Sequence, residues 1–137
     1  MNYTDIAKIR LENQHISISK FSSPADLVSW MGALQAQDYN MVKWAIGLRL
    51  PGSELENIEK AIERGEIIRS HLLRPTWHFV TADDLRWLIE LTAPQLKSAS
   101  RSRHKELGLN GKVVSKSNKI LREALEGGQH LTRKELN

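Results

Sequence analysis

The amino-acid sequence predicts a mainly α protein with a short β-hairpin, arranged as a winged helix-turn-helix unit followed by connecting helices. Three observations carry that expectation. Helix caps and stops follow one another closely through the first 65 residues and mark out four short helices. Over "IIRSHLLRPTWHFV" the pattern changes to a period of two, which belongs to strands. Beyond residue 93 helical signals return with an excess of basic residues. A hairpin after three or four short helices is the order of a winged helix. The expected domains are therefore a winged-helix unit with a hairpin wing over residues 1–92, basic connecting helices over 93–130, and the start of a second winged-helix unit over 131–137, which would continue past the chain.

Element by element, Thr4 can cap "DIAKIRLENQ", and Ser23 precedes Pro24, a favoured first helical position. The second helix is expected from Pro24 to about Asp38, with Leu27, Trp30, Met31 and Leu34 as its buried stripe. Asn40 can cap "MVKWAIGLRL", which "PGS" ends. Ser53 and Glu56 form a capping box for "SELENIEKAIERG", and Gly65 can terminate that helix. Arg74, Thr76 and His78 alternate with Trp77 and Phe79, and the Arg74–Pro75 step suits a turn between two strands. Thr81 and Asp84 make another capping box before "DDLRWLIELTA", Pro94 starts "QLKSASRSRHKELG", and "SKSNKILREALEGG" is the last full helix. Thr132 and Glu135 repeat the capping-box pattern in "LTRKELN". Trp30, Trp44, Trp77 and Trp87 sit at positions that suit the core.

Composition narrows the function classes. The 137 residues are 40% hydrophobic and 26% charged, enough apolar material for a core. There is no cysteine, which excludes disulfides and thiolate metal sites, and the five histidines have no metal-like spacing. Neither a metal nor another cofactor is expected. Apolar runs fall far short of the ~20 residues that span a bilayer, and no signal peptide opens the chain, so a cytoplasmic protein without a membrane partner is expected. The net charge of +4 is uneven: residues 1–85 carry 9 Lys and Arg against 11 Asp and Glu, whereas residues 86–134 carry 11 against 4. That asymmetry points to a polyanion, most simply nucleic acid.

"LQAQDYN", "WAIGLRLPG", "IIRSHLLRPTWHFVTADDL" and "LTRKEL" resemble the bacterial winged-helix DNA glycosylase family typified by AlkZ. The resemblance implies tandem winged-helix units followed by a β-barrel region, and removal of alkylated bases, including bulky adducts and crosslinked purines, from double-stranded DNA. It also implies a catalytic signature of glutamine, an apolar residue, then glutamine or aspartate, which Gln35-Ala36-Gln37 matches in its two-glutamine form.

The chemistry suits amides. An N-alkylated purine already carries positive charge and leaves without strong acid assistance, so the protein has to place a water and steady an oxocarbenium-like sugar. Glutamine is no useful base at neutral pH and would act by orientation and dipole, contributing about a few kcal/mol. The geometry raises a difficulty: a helix turning about 100° per residue points residues two apart to opposite flanks, so Gln35 and Gln37 converge only where the helix loosens. Asp38 could supply a carboxylate, or simply serve as a turn residue at the helix end. Arg69, Arg74, Thr76 and His78 are candidate DNA contacts near the glutamines, and Lys97 and Arg101, one turn apart, are candidates for tracking the backbone. Two other readings use the same features: a non-catalytic winged-helix DNA-binding or regulatory protein, and a helical protein-interaction module whose basic face meets an acidic partner.

Overall fold

The computed structural model describes residues 2–73 and 76–136, and clusters into two units, residues 1–96 and 97–137. The first unit begins with helix α1 (Tyr3–Asn13) and α2 (Pro24–Met31), then strand β1 (Leu34–Gln35), α3 (Tyr39–Gly47) and α4 (Leu55–Glu63). A hairpin of β2 (Ile67–Leu72) and β3 (Thr76–Thr81) follows, and α5 (Ala82–Ala99) leads out of the unit. In the second unit lie α6 (Arg101–Glu106) and α7 (Gly111–Ala124). Among the described residues the protein is thus mainly helical, with one small antiparallel sheet in the order β1-β3-β2.

The hairpin expectation holds, with Ile67 opposite Thr81 and Leu72 opposite Thr76. The turn expected at Arg74–Pro75 lies outside the described residues. The third strand is a correction. Helix α2 is capped as expected by Ser23, whose Oγ accepts from Asp26 N at 3.1 Å, but it stops at Met31 instead of reaching Asp38. Gly32 takes φ 72°, a left-handed conformation that L side chains avoid and that ends the helix. The chain then runs extended along β3, with Leu34 opposite Phe79 and Gln35 opposite His78.

Several caps also differ from expectation. Asn2, not Thr4, caps α1: its Oδ1 accepts from Asp5 N at 2.9 Å while Asp5 Oδ2 accepts from Asn2 N at 3.0 Å. At α3 the cap is Asp38, whose Oδ1 accepts from the N–H of both Asn40 and Met41, so Asn40 lies inside the helix. α4 begins one residue later than expected, with Asn57 Oδ1 accepting from Glu54 N at 3.0 Å in place of the Ser53–Glu56 box. Pro94 lies inside α5 and does not start a helix; the break falls at Ser100 instead. α7 starts at Gly111 under an Asn110 cap, four residues ahead of its expected beginning at Ser115. The Thr81–Asp84 and Thr132–Glu135 bonds both form, the second within a turn.

Sheet alternation divides the first unit's packing in two. Leu34, Ala36, Ile67 and Phe79 face one side and bury against Leu27, Val28, Val42, Ile46, Ile58 and Ala61 of α2, α3 and α4. Leu72 and Val80 face the other side and pack with Leu88 of α5. Of the tryptophans expected in the core, only Trp77 packs against it; Trp30, Trp44 and Trp87 are 44%, 60% and 49% exposed.

Candidate functional site

Extended backbone removes the difficulty posed by the glutamines. In β1 and its continuation, residues two apart point to the same side, so Gln35 and Gln37 share an exposed face while Ala36 between them is fully buried in the core. Both line one open groove of about 340 Å³, together with Asp38, Met41, Trp44 and Ala45 from the start and flank of α3. They share the groove because α2 stops at Met31 and the chain runs extended through Gln35 before the bend at Gln37; a loosened helix is not involved. Asp38 points to solvent, its Oδ1 committed to the α3 N-terminus, so it contributes a negative charge at the groove's edge and fixes where the helix begins.

The two amides are held differently. Gln37 Oε1 accepts from Trp77 N at 3.5 Å, the outer limit of a hydrogen bond, and so extends the ladder one step beyond the Ala36 N–H bond to Trp77 O at 2.7 Å. The Gln35 amide makes no hydrogen bond among the described residues and is open to water in the groove. Directly opposite Gln35 on β3 stands His78, and Ser70 of β2 stands opposite His78, giving a polar row across the sheet. His78 is only 8% exposed, and its Nδ1 lies 3.0 Å from Thr76 O. A carbonyl can only accept, so in this contact Nδ1 carries the hydrogen. Thr76 lies two residues from His78 on the same strand.

Arg69 occupies the opposite face of the sheet. Its Nε and Nη2 donate to Ala36 O at 3.0 and 2.8 Å, and Nη2 also to Gln37 O at 3.2 Å, while the guanidinium lies 4.5 Å from the Trp77 ring. The residue read from sequence as a phosphate contact therefore fastens the backbone of the glutamine segment from beneath. Arg74 lies outside the described residues.

The second unit carries ten Lys and Arg against four carboxylates. Lys97 and Arg101 meet at one groove of about 410 Å³, joined by His104 and Lys105. A second groove of about 730 Å³ shares Lys97 and His104 and adds Ser115, Asn118, Lys119 and Arg122 from α7. Among the described residues no carboxylate lines either groove. Sequence reading missed Lys119 and Arg122, although their three-residue spacing on a capped helix was there to place them on one face. Trp44 was also missed as a groove residue, having been assigned to packing.

No group of His, Cys, Asp or Glu suited to hold a metal ion occurs among the described residues, and no helix among them is long and apolar enough to cross a membrane. The first unit thus presents paired amides at a strand edge, and the second a basic helical surface. The family model described as DNA glycosylase AlkZ-like matches residues 28–137, and the chain belongs to that AlkZ-like DNA glycosylase family. Comparison with curated proteins and with solved structures gives no match.

Proposed function

We propose that the chain is the DNA-binding, glutamine-bearing part of a DNA glycosylase that hydrolyses the N-glycosidic bond of alkylated or crosslinked bases, with a winged-helix unit over residues 1–92 and basic connecting helices over 93–130. The observation that carries this reading is the meeting of Gln35 and Gln37 in one groove, on a segment whose backbone Arg69 anchors.

The groove supports a specific division of labour. The Gln35 amide, unengaged by protein, orients a water toward the anomeric carbon; the Gln37 carbonyl oxygen, one lone pair of which accepts from Trp77 N, offers the other to the sugar cation. As the carbon–nitrogen bond breaks, the base departs with the bonding electrons, which cancel the charge that alkylation gave it. Water oxygen bonds to the sugar carbon and releases its proton to solvent. The positively charged leaving group makes a strong general acid unnecessary, in keeping with two neutral amides at the site. Thr76 and His78, the latter opposite Gln35 on β3, border the exposed lesion strand. Lys97 and Arg101 hold the DNA backbone, with Lys119 and Arg122 in the adjoining groove.

Base release from duplex DNA carrying N-alkylated purines tests this in the full-length protein. Gln35→Ala or Gln37→Ala should each lower the release rate by ~10- to 1000-fold with DNA affinity little changed, the size of losing one preorganised electrostatic contact. Full activity in the double variant refutes catalysis by the pair. A protein that binds DNA with the expected salt dependence yet releases no base from any N-alkylated duplex is a non-catalytic DNA-binding member.

A further inference from the structure

The glutamine groove has an aromatic edge that the proposed chemistry has not yet used. Three of the four tryptophans are committed. Trp30 meets the His15 ring edge-on at 4.4 Å, and the Trp77 ring lies 4.5 Å from the Arg69 guanidinium and 3.7 Å from the His71 ring. Trp87 Nε1 donates to Asp84 Oδ1 at 2.8 Å. Trp44 is the most exposed of the four, at 60%, and its indole makes no ring contact or hydrogen bond among the described residues. It lines the groove of Gln35 and Gln37 and also a second groove of about 490 Å³ between α3 and α4, with Gly47, Leu48, Leu55 and Ile58 in its wall. Trp44 is therefore a ridge, with the amides on one side and, on the other, a trough in which Leu48, Leu55 and Ile58 meet Asn40, Lys43 and Ser53.

We propose that Trp44 is the surface on which the departing base stacks, and that it favours bases carrying positive charge. The inference rests on the glycosylase reading for the identity of that base. An indole offers a flat apolar face to any base, and its quadrupole attracts a cationic ring more strongly than a neutral one. The groove lining adds one negative charge. Asp38 contributes a carboxylate to the glutamine groove, and the nearby Lys43 ammonium is taken up by Glu59 Oε1 at 2.8 Å and lies 4.6 Å from the Tyr39 ring. A cationic base thus meets a π face in a groove whose lining carries the Asp38 carboxylate. Trp44 touches the leaving group in this arrangement and sets specificity, while the glutamines act on the sugar.

The test compares the full-length wild-type protein with Trp44→Leu, which keeps apolar bulk without the quadrupole, on two duplexes that differ only in one 7-methylguanine replacing guanine. Affinity and base release are both measured, and a melting curve checks that the variant folds. Wild type should bind the methylated duplex more tightly; Trp44→Leu should lose about 3- to 30-fold on that duplex and almost nothing on the other, the range of one cation–π contact. Equal losses on both duplexes, no loss on either, or no preference in wild type overturns the role of Trp44. If wild type prefers the methylated duplex through Trp44 but releases no base, stacking stands and the glycosylase reading falls. If base release proceeds in wild type and is unaltered in Trp44→Leu, the reverse holds. Should Trp44→Leu fail to fold, Trp44→Phe serves instead, its weaker quadrupole giving a smaller loss confined to the methylated duplex.

Discussion

Replacing Arg69 separates a structural clamp from a phosphate contact. Its guanidinium makes three hydrogen bonds to the carbonyls of Ala36 and Gln37 and lies against Trp77, and Ala36 is fully buried. Hydrogen bonds to a charged group contribute about 1.5–3 kcal/mol each, but these three share one side chain and two acceptors at a partly exposed site. Arg69→Ala should therefore cost about 2–4 kcal/mol in total, including the lost stacking. In a protein of this size that lowers the melting temperature by roughly 10 °C. Base release should fall more than stability alone explains, by ~10- to 100-fold per folded molecule, because the glutamine backbone loses its anchor and small misplacements are costly. Arg69→Lys retains the charge but not the planar fork, so it should keep DNA affinity while losing part of both stability and rate. Thermal melting, salt titration of DNA binding and single-turnover base release read the three effects separately. Unchanged melting in both variants, with a salt slope reduced by about 0.9 in Arg69→Ala alone, would refute the clamp and restore a phosphate contact.

Two further outcomes follow from the described geometry. Neutralising Lys97 and Arg101 together should weaken binding to all duplex sequences alike and lower the log-log salt slope by about 2, since each neutralised phosphate contributes roughly 0.9; a sequence-specific loss in a salt titration would contradict that role. The Asp84 carboxyl is held below its ordinary pKa by the Trp87 indole N–H and then by the Thr81 hydroxyl. A depressed folded-state pKa stabilises the protein fully above the unfolded value of about 3.9, and that contribution disappears as pH falls through the folded value. Asp84→Asn should thus melt below wild type at neutral pH, with the gap closing in acid; a gap that is constant with pH would refute the linkage.

How much of this was legible in the sequence depends on how each signal acts. The hairpin was legible because Thr76 and His78 alternate with Trp77 and Phe79 along β3 and a run of β-favouring residues precedes the Arg74–Pro75 step, and Ser23–Pro24 and Thr81–Asp84 because capping bonds are local. Strand β1 was missed since two residues give no measurable period and Leu34 continued the spacing of Leu27 and Met31. The signal was nevertheless present. Gly32 was a helix stop, and Leu34-Gln35-Ala36-Gln37 alternates apolar with polar, which is a strand pattern and also the reason the glutamines face one way. The exposed tryptophans could not be read, because an indole on an apolar stripe looks the same whether a neighbour covers it or a groove opens beside it. Pro94 was misplaced by its strong preference for first turns, whereas here it is accommodated on an exposed part of α5.

The short strand imposes a parity rule on the segment that carries the glutamines. Because side chains alternate, inserting or deleting a single residue between Gly32 and Gln35 would turn both amides toward the core and thrust Ala36 outward, whereas a two-residue change would keep the faces and shift only the register against His78. Length changes here are thus graded by odd and even rather than by size. Position 36 is meanwhile confined to residues small and apolar enough to enter the core, so the middle letter of the glutamine triplet is set by packing and the outer two are left free to answer to chemistry.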